Sequence, residues 1–415
     1  MIKYVIFKYS FRGFKMKKPL SILILSLLLT GCANATSSVS SSSSSSIISN
    51  PDSSSTSIEP SYYEGFSFIP LKEDTPIHSQ LVEDYFQQEE YDYSKMNAAI
   101  NAKTDLGDNL PVKLIFNRDG YPKTLSYKVK ITDLSDNKVV YEDEIENGEI
   151  DFINYKLNNE YKLTFIAVAE KKGDCMAINH NFIIPNGHFR TITVDGVNNF
   201  RDLGDGVHLK QGLIYRSATF ENNTSANEDN PLSITELGKK QIASLGLVSE
   251  IDLRKDDEKK VLDKSYLDLK YLKAPLYYGG QNILTYKNSE YNNPETIKSV
   301  FEFLGNKDNY PINFHCVRGT DRTGCLAYLI KGLLGIEEEM LYRDFLFSNF
   351  YNIGSPVKLE SVYYATNPNA TTKYANVIKQ TEGETLKDKI YNYLSSEKVG
   401  VSTATLDNII NILKA

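Results

Sequence analysis

The chain has 415 residues, 41% apolar and 24% charged, with a formal charge of −7 at pH 7. That length suffices for two or three folded domains. Residues 1–31 hold six Lys or Arg and no acid, so setting them aside takes −7 to about −13, which argues against nucleic-acid binding. The four cysteines make no disulfide framework, and no His or Cys cluster has metal-ligand spacing, so neither a metal nor another cofactor is expected.

At the front, Lys17 and Lys18 precede an apolar run from Leu20 to Leu29 that ends in Leu29-Thr30-Gly31-Cys32. The run is short for a membrane span, and a basic flank, an apolar stretch and a closing Gly-Cys read as a signal peptide over residues 1–31. The box resembles a lipoprotein cleavage site. By that resemblance the thiol of Cys32 carries a diacylglycerol, and the mature protein is extracytoplasmic and lipid-anchored to a bacterial cell membrane. Met16 opens a more typical signal than Met1, and both starts stay open. Residues 32–60 include a stretch from Thr36 to Ser57 that is mostly serine, a composition that buries no core and reads as a flexible tether.

Residues 61–185 alternate apolar and polar side chains. Strands are expected at Pro111–Phe116, Ser126–Ile131, Val139–Glu142 and Tyr161–Val168, with turns at Arg118-Asp119-Gly120 and Leu157-Asn158-Asn159-Glu160. Short strands at regular spacing suggest a small all-β sandwich of immunoglobulin or fibronectin III kind, and Leu157–Tyr161 has the look of the turn before a tyrosine corner. Such a module could bind carbohydrate or protein, or be a rigid spacer that orients the C-terminal part of the chain.

Residues 186–415 carry the chemistry. Tyr310-Pro311-Ile312-Asn313-Phe314 reads as a short buried strand and Cys325-Leu326-Ala327-Tyr328-Leu329-Ile330 as a helix; between them runs His315-Cys316-Val317-Arg318-Gly319-Thr320-Asp321-Arg322-Thr323-Gly324. A cysteine thiolate is the nucleophile only when ionised, and a free thiol with a pKa of about 8.5 is mostly protonated near neutrality. Successive backbone N–H groups that run into a helix N-terminus lower that pKa and bind phosphate oxygens at once. Cys316 is therefore the candidate nucleophile and Arg322 the fork that holds a phosphoryl group. Val317, Arg318, Gly319, Thr320, Thr323 and Gly324 would line the substrate; Gly319 allows a backbone that a side chain would obstruct, and the Thr323 hydroxyl would donate to the sulfur. Cys325 and Cys175 read as small apolar packing residues.

The loop resembles that of bacterial tyrosine phosphatases related to dual-specificity and lipid phosphatases, which reads His-Cys-x-x-Gly-Lys-Asp-Arg-Thr-Gly. Asn199–Gly204 with Gly212–Ser217, Leu245–Arg254 with Glu258, Tyr342–Asn349, and Gly400-Val401-Ser402 at the start of a last helix resemble other stretches of that family. The resemblance covers about residues 186–415 and implies an α/β cysteine-phosphatase fold, a central sheet flanked by helices, that hydrolyses phosphomonoesters through a cysteinyl-phosphate. It implies His315, Arg201, Asp252 and Arg254 as supporting residues.

Asp321, inside the loop, is the first candidate for the general acid, as in relatives with an Asp there; the pair Asp256-Asp257 on a separate loop is the rival. Asp252 reads as a strand-end residue that pairs with Arg201 or Arg216. Thr320 replaces the family's usual Lys, which that family associates with phosphoinositide headgroups, so a phosphotyrosine protein leads as substrate, with phosphoinositides or inositol phosphates as the alternative. A catalytically idle phosphate-binding or adhesive lipoprotein is the reading from another class. Seven of nine arginines (Arg190, Arg201, Arg216, Arg254, Arg318, Arg322, Arg343) fall in this part, as an anion site would need, although some of them would be salt bridges. Ser233–Leu245 is expected to be helical and could form a lid. A reactive thiol outside the cytoplasm is exposed to oxidation, a tension that the sequence leaves standing.

Overall fold

The computed structural model describes residues 46–48, 66–88, 107–118, 127–145, 148–167, 177–223, 232–256, 258, 263–277, 282–358 and 373–415. The stretch expected to be a signal peptide, Cys32, Cys175, Asp257 and nearly all of the expected serine tether lie outside them. Residues 45–415 form one compact unit. No helix among the described residues is long and apolar enough to cross a membrane.

The first half is a pair of antiparallel sheets. One carries β1 (Ser46–Ile48), β8 (Ala177–Ile183), β7 (Glu160–Ala167), β4 (Tyr127–Asp133) and β5 (Lys138–Ile145) in that order; the other carries β2 (Phe66–Ile69), β3 (Val112–Arg118) and β6 (Glu149–Phe152). Alternation made β3, β4, β5 and β7 legible, because successive side chains of a strand point to opposite faces, whereas β2, β6 and β8 were not expected. In β4, Tyr127, Val129 and Ile131 point inward while Lys128 and Lys130 face water. The inward residues of β4 and β7 share one apolar cluster with Val112, Leu114 and Phe116 of β3 and with Ile150 and Phe152 of β6. The Tyr161 hydroxyl accepts the Lys156 N–H at 2.6 Å, so the expected turn is pinned by that tyrosine. Two further features differ from expectation. Ser46–Ile48, placed in the flexible tether, pairs antiparallel with β8. A helix, α1 (Gln80–Phe86), also interrupts the β region; it is capped by Ser79, whose hydroxyl accepts the Val82 N–H.

The second half is α/β. Its sheet runs β12 (Lys270–Lys273), β11 (Ser249–Asp252), β13 (Ile312–His315), β10 (Ile214–Ser217) and β9 (Arg201–Asp202), the first four parallel and β9 antiparallel to β10. Parallel strands need crossover connections, here containing α2 (Glu236–Leu245) and α3 (Asn293–Leu304). The helices α4 (Asp321–Leu333), α5 (Glu338–Phe347), α6 (Tyr374–Lys379), α7 (Leu386–Ser395) and α8 (Thr403–Leu413) complete the chain. Alternate residues of the sheet enter two cores: Ile214, Ile251, Ile312 and Phe314 join the large cluster with α3 to α8, whereas Tyr215 joins a smaller one with Ile242 and Leu245 of α2. α2 therefore packs on a sheet face through Ile242 and Leu245. Helix α4 is buried on nearly all sides, so the loop in front of it is anchored to the best-packed element of the fold.

Val82 and Tyr85 of α1 belong to the large α/β cluster, and the Tyr85 hydroxyl donates to the Arg343 carbonyl at 3.0 Å while Arg343 donates back to the Tyr85 carbonyl at 3.0 Å. Truncating this fully buried ring should cost about 3–5 kcal/mol. Tyr85→Ala is expected to lower the midpoint of a single calorimetric transition; a transition that splits, with the α/β part unchanged, would contradict the packing of α1 described here.

Candidate active site

Strand β13 lies between β11 and β10, and its end delivers His315 and Cys316 to the C-terminal edge of the parallel strands. From there residues 316–320 turn directly into α4. The direction of the peptide groups in this turn decides what it can bind. The Val317 carbonyl accepts the Thr219 N–H at 3.2 Å, the Arg318 carbonyl accepts Asn199 Nδ2 at 3.0 Å, and the Gly319 carbonyl accepts Asn199 Nδ2 at 3.2 Å and Arg216 Nη2 at 2.7 Å. In a trans peptide the N–H points away from the carbonyl, so pulling three successive carbonyls outward turns the N–H groups of Arg318, Gly319 and Thr320 toward the inside of the loop. That concavity, continued by the first turn of α4, is an anion nest.

Gly319 makes the turn possible. Its φ is +72°, and a Cβ there would lie 2.5 Å from the Ser217 carbonyl carbon and oxygen and 2.7 Å from the Ala218 nitrogen. Both the conformation and the space exclude a side chain.

Cys316 is 2% exposed. Burial by itself pushes its pKa up, but the Arg322 charge and the Thr323 hydroxyl and amide outweigh that, and the thiol lies below its ordinary value; Asp321 opposes the drop. The charge of Arg322 is itself held in place. Its Nη1 and Nη2 donate to the two carboxylate oxygens of Glu258 at 2.7 and 2.8 Å, and Nη1 reaches the Leu253 carbonyl at 3.3 Å. Glu258 also accepts the Lys255 N–H at 2.7 Å, so the loop after β11 carries the fork that aims Arg322. Asp321 is half-buried at the first position of α4.

Beneath the loop lies a second polar layer. His315 Nε2 sits 2.8 Å from Glu250, and its Nδ1 is 3.9 Å from Asp252. Burial lowers the His315 pKa, but Asp252 and Glu250 raise it more, and the net shift is upward. Burial would raise the Asp252 pKa; His315 and Arg254 pull it down to about 2. Arg254 grips both Asp252 oxygens and pairs with Glu221 at 2.6 Å, and Tyr271 donates to Asp252 at 2.9 Å. Asp252 is thus a fixed anion, and the expected pairing with Arg201 or Arg216 does not occur.

Those two arginines meet Asp344 of α5 instead. Arg201 Nε donates to one oxygen at 2.7 Å and Arg216 Nη1 to the other at 2.8 Å, while Lys331 Nζ lies 3.9 Å away. Arg201 also donates to Asn199, so the pair that holds the loop's carbonyls is tied to the same carboxylate. Burial works against the charge, yet Lys331, Arg201 and Arg216 hold the Asp344 carboxyl well below the usual carboxylate range.

A family model described as "Tyrosine phosphatase family" matches residues 192–414, more than half of the chain. The chain belongs to the tyrosine phosphatase family. A curated relative from Cupriavidus necator, named as a candidate tyrosine-protein phosphatase, is 23% identical over 188 residues, 39% of this chain and 64% of that protein. The chain thus spans less than two thirds of that relative's length. Among solved structures, the core catalytic domain of the PP-IP phosphatase SIW14 from S. cerevisiae, in complex with citrate, aligns at 16% identity with a TM-score of 0.24, over 39% of this chain and 81% of that one. A second structure of the Siw14 catalytic core aligns at 17% identity and a TM-score of 0.26, over 39% and 80%.

In this member of the family the structure brings Cys316, Arg322, Asp321, Thr323 and the loop backbone together, with His315, Asp252 and Arg254 one layer below. Arg318 turns to the Ser355 hydroxyl at 3.1 Å, and Thr320, which stands where the family commonly has Lys, is fully buried. Asp256 forms an exposed pair with Lys273 at 2.6 Å. Most arginines of this half serve ion pairs rather than an anion site: Arg190 with Asp202, Arg201 and Arg216 with Asp344, Arg254 with Asp252 and Glu221, Arg343 with Glu339. Sequence reasoning assigned no role to Asn199, Glu250, Glu258 or Asp344. Asn199 lies in a bend at φ +55° just before β9, so no strand periodicity in the sequence marks it.

The lowered thiol pKa has a sign that can be checked. Alkylation tracks the thiolate, so the iodoacetamide rate at Cys316 should be half-maximal below the ordinary thiol value of about pH 8.5. A half-maximum at or above that pH would contradict the electrostatics described. Asp252, depressed to about 2 in the fold against about 3.9 unfolded, contributes stability that is present above about pH 4 and lost as pH falls toward 2. Asp252→Asn should therefore flatten the fall in melting temperature between pH 4 and 2; an unchanged acid limb would count against this assignment.

Proposed function

We propose that the protein is a phosphomonoester hydrolase that works through a cysteinyl-phosphate, acting most directly on phosphotyrosine in proteins. The observation that carries this reading is a buried thiol of lowered pKa set among inward-turned N–H groups and beside an arginine aimed by a bidentate carboxylate. In the first step Cys316 Sγ attacks phosphorus, the bond from phosphorus to the leaving oxygen breaks, and that oxygen takes a proton from Asp321. In the second, water attacks the phosphocysteine, Asp321 recovers a proton from the water, inorganic phosphate leaves and the thiolate is restored. Arg322 and the loop N–H groups hold the phosphoryl oxygens as charge spreads over them.

Three features support Asp321 as the acid. It lies at the nest, and its charge is felt at the Cys316 sulfur. Asp252 is a locked anion with a pKa of about 2, and Asp256 is spent on Lys273. For the substrate, a buried Thr320 brings no cation to the position where the family's lysine stands, which favours a single phosphate over a cluster of them. We further propose that residues 61–185 form a sandwich module before a catalytic domain of 186–415, and that a lipid on Cys32 anchors both outside the cell membrane.

The test is hydrolysis by the purified chain, side by side, of a phosphotyrosine peptide and a panel of phosphoinositides and inositol phosphates, with Cys316→Ser as control. Turnover of the peptide that vanishes in the variant is expected; preference for inositol phosphates would overturn the substrate assignment, and silence on both would overturn the enzyme reading. For the acid, Asp321→Asn should lower kcat by about 10²-fold on an aryl phosphate with a poor leaving group. It should lower it far less on para-nitrophenyl phosphate, whose leaving group departs unprotonated; equal losses would move the acid role elsewhere.

A further inference from the structure

Strand β9 has only two residues, and they face opposite ways. Arg201 turns to Asp344 and thus to the loop, whereas Asp202 turns to the β half of the molecule. There Asp202 Oδ2 accepts Arg190 Nη1 at 2.6 Å and the Gly212 N–H at 2.6 Å, and Oδ1 accepts the Gly204 N–H at 2.8 Å. The other donors of Arg190 belong to the β half: Nε reaches the Tyr155 carbonyl at 2.8 Å and Nη2 the Asn154 carbonyl at 2.7 Å, both in the turn after β6. The Arg190 and Asp202 side chains are 5% and 0% exposed. A single guanidinium therefore joins the β turn to the strand whose neighbouring residue holds the hub of the catalytic loop.

The connection continues through the ladder. Asp202 pairs with Tyr215 and Arg201 with Arg216. Arg190 Nη1 lies 3.4 Å from the Tyr215 hydroxyl, and Arg216 holds the Gly319 carbonyl. The same turn is fixed at two further points. Asn154 accepts the Thr193 N–H at 2.8 Å and donates to the Thr193 carbonyl at 3.0 Å, and Gln211 does the same for Leu157 at 2.9 and 2.9 Å.

Resting on the phosphatase reading above, we propose that Arg190 is a positioning residue for the phosphate-binding loop, and that the β half is a working part of the catalytic unit rather than a spacer. Without Arg190, Asp202 is a buried charge that has lost its partner. β9 relieves this only by shifting or by taking up a proton, and a shift carries Arg201 with it and loosens Arg216 on Gly319. Misplacement of a binding group by about 1 Å costs up to 10²-fold in rate.

The experiment compares full-length wild type, Arg190→Ala, Arg190→Lys and Lys138→Ala, the last removing a contact between the halves, Lys138 Nζ to the Ser244 carbonyl at 3.0 Å, that touches neither Arg190 nor β9. Each is measured for melting temperature, for kcat and KM with para-nitrophenyl phosphate well below its melting point, and for the pH of half-maximal iodoacetamide alkylation of Cys316. Arg190→Ala should lower kcat about tenfold, leave KM within about twofold and move the alkylation midpoint upward, with Arg190→Lys recovering part of the loss. Lys138→Ala should leave kcat and the alkylation midpoint at wild-type values. Wild-type kcat and midpoint in Arg190→Ala, or the same losses in Lys138→Ala, would overturn the proposal. Should wild type leave the aryl phosphate untouched, the phosphatase reading fails, and the alkylation midpoint still decides for or against Arg190. If Arg190→Ala does not fold, Arg190→Lys and Asp202→Asn carry the comparison on the same readouts.

Discussion

Much of the α/β half depends on one carboxylate. Asp344, buried in α5, takes Arg201 on one oxygen and Arg216 on the other, with Lys331 close by. Two fully buried guanidinium groups would not be tolerated without it, because removing one partner of such a set leaves an uncompensated buried charge at a cost of about 3–5 kcal/mol. What the fold gains is direction. Arg216 spends its remaining reach on the Gly319 carbonyl, and Arg201 steadies Asn199, which holds the Arg318 and Gly319 carbonyls. The outward pull on those carbonyls is what turns the N–H groups inward, so the shape of the anion nest is set from a helix more than twenty residues downstream.

Around the sulfur, two layers of charge do different work. In the upper layer, Arg322 lowers the thiol pKa and Glu258 keeps Arg322 aimed. In the lower layer, Glu250, Asp252, Arg254 and Glu221 enclose His315 at the end of β13. The lower groups neutralise one another locally, which fixes the strand end without placing a mobile proton near the nucleophile. Asp321 opens α4 beside Cys316 and Arg322, above that lower network.

The loop itself was legible in the sequence because its parts are consecutive: Cys316, Gly319, Asp321, Arg322 and Thr323 form one segment between a buried strand and a helix, so spacing alone brings them together. Four strands of the β half, β3, β4, β5 and β7, were legible for a similar reason, alternation being a local signal, with boundaries that moved by one to three residues; β1, β2, β6 and β8 were not read from the sequence. What stayed hidden is what distance in the chain hides. Asp344, 128 positions after Arg216, could not be matched to it from the sequence, so Asp252 was given the wrong arginines. The clustering of arginine pointed to an anion site, yet an arginine that satisfies a buried carboxylate has the same composition as one that waits for a phosphate. Helix α1 was missed because its seven residues lie in a region of strand-like composition and are stabilised by the α/β core, which no local window contains.

The most direct test of the account is to look for its covalent intermediate. The full-length chain is mixed with an aryl phosphate, quenched in acid within its first turnovers, digested and examined by mass spectrometry. A phosphate on the peptide that contains Cys316, accumulating at up to one equivalent and decaying as inorganic phosphate appears, is the result this structure predicts. Release of phosphate with no adduct on Cys316 at any time, or an adduct on another residue, would contradict it.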